Sequence, residues 1–204
     1  MSTSANPVID GRRARGATSR RAVMAVAVDL ASVDGLEGLS IGTLAARSGM
    51  SKGGVVALFG SKEQLQLATI EAAIEVFREH VIEPALARSG GIARLRALTG
   101  SWLEYSRSRV FAGGCFFAAA SAELGSRPGP ARDAIATAMR DWQGFVRRTV
   151  DRALDRGELP VGTDPAQLAF EITSLLDGAN DLSILLGSDE PYRRARTAID
   201  RLLA

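Results

Sequence analysis

Glycine and proline cut this chain into segments, and inside each segment apolar residues recur at three- and four-residue spacing. The breaks fall at Asp34-Gly35, Gly49, Pro84, Gly90-Gly91, Gly113-Gly114, Pro128-Gly129-Pro130, Gly157, Asp164-Pro165 and Gly187. Punctuation of this kind between helix-periodic runs points to an all-α fold of about nine helices. Val23, Val26, Ala27, Leu30 and Ala31 form one stripe of a helix over Arg20–Val33. Leu67, Ile70, Ala73, Ile74 and Phe77 line a helix from Leu65 to Ile82, which Pro84 stops. Further helices are expected from Ile92 to about Arg109, from Cys115 to about Leu124, and from about Ala131 to Arg156. Two more run from Pro165 to Leu186 and from Pro191 to Leu203. There is no hairpin signal, internal repeat or apolar span of membrane length. A chain of 204 residues suits a small head and one larger helical domain with a sizeable core.

The segment Ser40–Leu65 holds the only two lysines, Lys52 and Lys62, in a chain with 23 arginines. A compact, flexible cation suits a phosphate contact, although two rare residues also fall together by chance. Ser40 is placed to cap a short helix from Ile41 to about Arg47, and Ser51 a second one from Lys52 to about Leu58. With Gly49 between them they read as a helix-turn-helix, whose second helix enters the major groove with its N-terminal residues at the base edges. Here those residues are Lys52, Gly53 and Gly54. Each glycine weakens a helix by roughly 1 kcal/mol relative to Ala but removes a side chain that would hold the backbone off DNA. On spacing alone a frayed surface turn remains open. Residues 1–19 lack apolar periodicity and the long apolar core of a signal peptide, and read as a disordered basic arm. Such an arm either follows a phosphate backbone or merely solubilises the chain. Residues 1–62 hold eight Lys or Arg against four acids, and the remainder is slightly acidic. That asymmetry fits nucleic-acid contact at the amino-terminal end.

Three blocks now carry a specific resemblance: Gly35–Ile41, Ser48-Gly49-Met50-Ser51-Lys52-Gly53, and Phe59-Gly60-Ser61-Lys62-Glu63-Gln64-Leu65. Residues 20–65 resemble the DNA-binding domain of the TetR family of bacterial transcriptional repressors. The resemblance implies a helix-turn-helix head over 20–62 and a ligand-binding and dimerisation domain over 63–204. It implies phosphate contacts from Thr43, Ser51 and Lys62, within a DNA-binding set of Arg20, Ser40, Thr43, Ser51, Lys52, Gly53, Gly54, Val56 and Lys62. The family usually carries an aromatic where this chain has Val56, and often His or Tyr where it has Leu58. Val56 can still touch a thymine methyl group. The implied partners are a palindromic double-stranded DNA operator, a second copy of the chain and a small-molecule effector, in the cytoplasm and without a membrane. Gly113 to Phe117, reading Gly-Gly-Cys-Phe-Phe, is similar to a motif of one branch of the family.

The family pairs its last two helices across a two-fold axis. The stripe Leu175, Ala179, Leu182, Leu186, Ala195, Ala198, Ile199 and Leu202 suits that role, and equally a purely internal core. Aromatics concentrate from Trp102 to Phe117. Trp102, Tyr105, Phe111, Phe116 and Phe117, with Cys115, are candidates to wall an effector pocket, joined by Phe77, Trp142, Phe145 and Phe170. Glu104, Ser106, Ser121, Asp177 and Asn180 are candidate polar groups within it. A pocket of this kind takes a mostly apolar molecule, while plain core packing uses the same residues. One cysteine and one histidine, His80, exclude a disulfide within the chain and a multi-thiolate or multi-histidine metal site. No cofactor signature is present, and an enzyme would lack a phosphate loop, a nucleotide fingerprint and a Ser-His-Asp set. The alternative to a DNA-binding regulator is a small helical enzyme or a thiol sensor built on Cys115.

Overall fold

A computed structural model describes the backbone from Pro7 to Ala204 and the side chains from Arg20 onward. Among the described residues every regular element is helical. Helix α1 (Pro7–Gly38), α2 (Ile41–Ser48) and α3 (Lys52–Phe59) form the head. Helix α4 (Lys62–Phe77) runs through a π-turn (Arg78–Ile82) into the short α5 (Glu83–Leu86). Helices α6 (Ile92–Arg107), α7 (Phe116–Leu124), α8 (Pro130–Asp155), α9 (Pro165–Leu186) and α10 (Glu190–Leu202) complete the chain. Counting the run from Lys62 to Leu86 as one rod gives the nine expected.

Two expectations need correction. The first helix begins at Pro7 rather than Arg20, so residues 7–19, expected as a disordered arm, continue α1. Proline fits the first turn of a helix, and Ala and Arg extend one that packing further along has already nucleated. Residues 1–6 of that arm lie outside the described residues. The second correction concerns Pro84, which does not stop the helix. Its ring would clash with the carbonyl four residues back, and the chain widens over Arg78–Ile82 into a π-turn that relieves the clash.

Val23, Ala27, Val28 and Ala31 of α1 are buried with Leu44 and Ala45 of α2 and Val55 and Phe59 of α3. Helix α1 also packs against α4 and α7, which joins the head to the larger domain. The larger core centres on Trp102, Phe116, Leu95, Leu98, Ile172, Leu176 and Ile199.

Within that core lies a directed polar chain. Arg109 Nη1 donates to Tyr192 Oη (2.8 Å), which leaves the tyrosine hydroxyl to donate to Ser106 Oγ (2.8 Å). Ser106 Oγ donates in turn to Asn180 Oδ1 (2.8 Å), which also accepts the Cys115 backbone N–H (2.8 Å). Arg109 Nη2 reaches Ser183 Oγ at 3.1 Å. Helices α6, α9 and α10 and the loop before α7 are thereby tied at one point.

The head is tied as directly. Gly35 breaks α1 at φ 76°, ψ 165°, which frees the N–H groups of Leu36 and Glu37. They donate to Glu123 Oε2 (2.7 Å) and Oε1 (2.9 Å) near the end of α7. A Cβ at position 35 would lie 2.6 Å from that carboxylate, so glycine is required twice over, by φ and by close approach. Ser106→Ala leaves the buried Tyr192 hydroxyl without an acceptor. We expect a loss of about 2 kcal/mol and a thermal midpoint lower by about 4–8 °C, read by calorimetry.

Candidate functional site

The head presents one outward face. Ser40 Oγ accepts from Thr43 N (3.0 Å) and caps α2, and Thr43 Oγ1 lies 2.8 Å from the same oxygen. Gly49 turns the chain in the left-handed region, and Ser51 Oγ accepts from Gly54 N (3.1 Å) to start α3. Val55 and Phe59 point into the core, so Lys52, Gly53 and Val56 are turned outward. Val56 is 44% exposed, and open space lies in front of Gly53. The expected reading residues are therefore together on an accessible surface.

Two basic residues are engaged inside the head. Arg20 donates to the Leu58 carbonyl (3.3 Å), and its guanidinium stands 5.2 Å from the centre of the Phe59 ring, so it closes the carboxy end of α3. Lys62 Nζ donates to the Glu37 carbonyl (2.8 Å) and to Glu37 Oε2 (3.1 Å). Buried Gln66 donates to the Leu36 carbonyl (2.9 Å) and to Glu37 Oε1 (3.3 Å). The hydrogen bond from Lys62, with that from Gln66, holds the Glu37 carboxyl below its ordinary value.

The second feature is a cavity of about 310 Å³ in the larger domain, the low end of the range for small-molecule sites. Helix α4 and its π-turn contribute Ile74, Phe77, Arg78 and Ile82, and α6 contributes Trp102. Cys115 and Phe117 wall it from the start of α7, and Ala138, Met139, Trp142 and Phe145 from α8. Phe77 is the hub, edge-on to Tyr105 (5.6 Å), Phe117 (5.7 Å) and Trp142 (5.2 Å). The charged groups at the wall are Arg78, Asp141, Arg148 and Asp177. Burial, with nearby Asp181 adding to it, raises the Asp177 carboxyl to about 6. Burial likewise pushes the Cys115 thiol up to about 12, and at neutral pH it keeps its proton.

Of the ten residues expected at the pocket, six line this cavity: Phe77, Trp102, Cys115, Phe117, Trp142 and Phe145. Phe116 is wholly buried in the core and Tyr105 sits behind Phe77. Phe111 faces a separate cleft against α1. Phe170 is a correction: it stands 59% exposed on the outside of α9. Among the polar candidates, Ser106 and Asn180 are consumed by the buried chain and Glu104 pairs with Arg107 on the surface. Asp177 does reach the cavity. Ile74 and Met139 also line the cavity; Ile74 carried the helical-period signal of a core residue, and nothing in the sequence separates cavity wall from core.

The residues expected at a dimer interface divide. Ala179, Ala195 and Ile199 are buried in the protomer's own core, Leu175, Ala198 and Leu202 are half-buried, and Leu182 and Leu186 are exposed. Phe170, Leu182 and Leu185 share one side of α9, and Leu185 is 79% exposed.

Among the described residues no helix is long and apolar enough to cross a membrane, and no cluster of three or more His, Cys, Asp or Glu is placed to hold a metal. Residues 23–69 match the family described as bacterial regulatory proteins, tetR family, and residues 91–199 match the tetracyclin repressor-like C-terminal domain. A TetR transcriptional regulator from Chloroflexus aurantiacus J-10-FL is 27% identical with a TM-score of 0.85, over 92% of this chain and 94% of that one. The reduced form of E. coli NemR is 21% identical with a TM-score of 0.79, over 92% of this chain and 97% of that one. AibR, solved with isovaleryl coenzyme A and operator DNA, is 21% identical with a TM-score of 0.70, over 91% of this chain and 98% of that one. A search of curated proteins finds no match. With a helix-turn-helix head whose outward face is open and a helical domain with an aromatic cavity, both matched by the family's two domains, the chain belongs to the TetR family of bacterial transcriptional regulators.

Proposed function

We propose that the chain works in the cytoplasm as a homodimeric repressor, released from a palindromic operator when a small, largely apolar effector fills the cavity. Within the family we place it in the branch marked by Gly113 to Phe117. That motif has work to do here: Gly113 lies where a Cβ would be 1.9 Å from the Ser32 carbonyl oxygen, Cys115 donates to Asn180, and Phe117 walls the cavity.

The observation that carries the proposal is the span of α7. Its start presents Cys115 and Phe117 to the cavity, and its far end holds the head through Glu123. A ligand that shifts the start of α7 shifts the carboxylate on which Leu36 and Glu37 hang, beside the Glu37–Lys62 pair. An effector that prefers the shifted arrangement lowers operator affinity by the difference in its affinity for the two states. AibR offers a fold-level precedent for one protein holding both an acyl coenzyme A and operator DNA. A thiol sensor gains no support from Cys115, since a thiol raised to about 12 supplies almost no thiolate.

On DNA, Lys52, Gly53, Gly54 and Val56 would meet base edges, with Ser40, Thr43 and Ser51 toward phosphate. Arg20 would brace α3 from behind. The Lys62–Glu37 pair is half-exposed and worth no more than about 1 kcal/mol, so the ammonium can exchange its carboxylate for a phosphate. Two recognition helices about 34–36 Å apart would require a dimer, and the exposed apolar side of α9 at Phe170, Leu182 and Leu185 is the surface that would bury against its mate.

Selection from a random DNA pool with the purified protein tests the reading directly: a palindromic motif is expected, and no enrichment by folded, dimeric protein overturns it. Three variants test its parts. Lys62→Ala should weaken binding to all sequences alike and lower the salt slope by about 1, whereas Lys52→Ala should also change base preference in the same selection. Leu185→Asp should give a folded monomer in sedimentation equilibrium, with operator affinity reduced by about a hundredfold through lost bivalency. Glu123→Ala removes two charge-assisted hydrogen bonds. The Leu36 and Glu37 amides should then exchange hydrogen about tenfold or more faster, while the cavity tryptophan emission stays unchanged.

A further inference from the structure

Four charged side chains line the cavity, and among the described residues one of them is both half-buried and without a hydrogen bond or ion pair. Arg78 is held by Glu75 at 2.7 Å and by a second, short contact to Glu83. Arg148 extends over the Phe145 ring, 5.9 Å from its centre. Asp141 is on the exposed side of α8. Asp177 is different. It is half-buried on α9, beside Cys115, and makes no hydrogen bond or ion pair among the described residues. Lining the same cavity are the aromatic rings of Phe77, Trp102, Trp142 and Phe145, the protonated Cys115 thiol, Arg78 with its two glutamates, and Arg148, an exposed side chain with no ion pair among the described residues. Burial, with Asp181 adding to it, raises the Asp177 carboxyl, and Arg78 and Arg148 are exposed side chains that make no hydrogen bond or ion pair to it among the described residues.

A carboxylate in such a place favours a ligand cation on two counts. It supplies the opposite charge where solvent screening is reduced. Aromatic faces attract an ammonium group and repel an anion, and four aromatic rings line the same space. Resting on the reading that this cavity is the effector site, we propose that the effector is a cationic amphiphile, an aromatic or branched aliphatic group bearing an ammonium centre, with the ammonium seated between Asp177 and the tryptophan rings. The volume admits a molecule of roughly a benzyl group and a substituted amine. A neutral or acidic ligand of the same shape would leave the Asp177 charge unbalanced in the filled cavity.

Trp102 and Trp142 are the only tryptophans of the chain, and both line the cavity, so intrinsic fluorescence reports its occupancy. The probes are benzyltrimethylammonium and neopentylbenzene, which differ by one atom, nitrogen for carbon, together with phenylacetate as the anion. The full-length wild-type protein should bind the ammonium probe at least about tenfold more tightly than either of the others. Asp177→Asn should erase that preference while its affinity for neopentylbenzene stays unchanged, and Asp200→Asn, at an exposed position of α10 outside the cavity lining, should leave all three affinities as they were. Preference for the neutral probe or the anion by wild-type protein overturns the cationic assignment but leaves the cavity as a ligand site. The same holds if Asp177→Asn keeps the full preference. No change in tryptophan emission with any probe up to solubility overturns the effector-site reading and this inference with it. The comparison of ligands on wild-type protein needs no variant to fold.

Discussion

Asn180 Oδ1 accepts two hydrogen bonds at 2.8 Å, one from Ser106 Oγ and one from the backbone of Cys115, and the larger domain is arranged around that oxygen. An acceptor buried to this degree must be satisfied, and leaving it unpaired costs about 1–3 kcal/mol. Both donors are therefore fixed in space. Ser106 sets α6 against α9, and Cys115 sets the point at which α7 begins. The chain between them, from Arg107 to Gly114, has little choice of path. Arg109 takes a positive φ of 53° and is compensated by its bonds to Tyr192, Ser183 and the Ser106 carbonyl. The strain of that residue and the satisfaction of the network are two sides of one arrangement.

From that anchored start α7 runs to Glu123, which carries the arrangement into the head. A carboxylate on two adjacent backbone N–H groups is a directional, charge-assisted contact, so the angle between α7 and the Gly35 kink is not free. The aromatic rings packed edge-on around Phe77 fill the space beside the anchored start of α7 and leave one cavity wall in common with it. A rigid helix with a ligand space at one end and the head at the other is an economical lever, and packed interfaces of this sort shift between discrete arrangements rather than deforming continuously.

Much of this was legible from local signals. The boundaries of α2 and α3 follow their Ser caps and closing glycines, and α9 runs from Pro165 to Leu186 as its spacing predicts. The turned-out face of α3 follows from where Val55 and Phe59 must go. Other features were not legible. Phe170 and Phe145 read alike in sequence, yet one is exposed on α9 and the other walls the cavity. Ser106 and Asn180 read as pocket groups and are instead spent on each other. Lys62 was expected at a phosphate, and the carboxylate partner it has 25 residues earlier was not foreseen.

The sequence by itself determined the all-α architecture, the capped helix-turn-helix and the family. Those depend on backbone preferences and spacing that act over a few residues, where chain order and spatial order coincide. Tertiary structure alone decided which aromatics enclose space and which fill it, that Asp177 stands half-buried at the cavity without an ion pair among the described residues while Arg78 is paired, and that Glu123 holds the Gly35 kink. Each of these depends on the distance between residues far apart in the chain. Apolar periodicity says which face of a helix turns inward, and it carries no information about which other helix that face will meet.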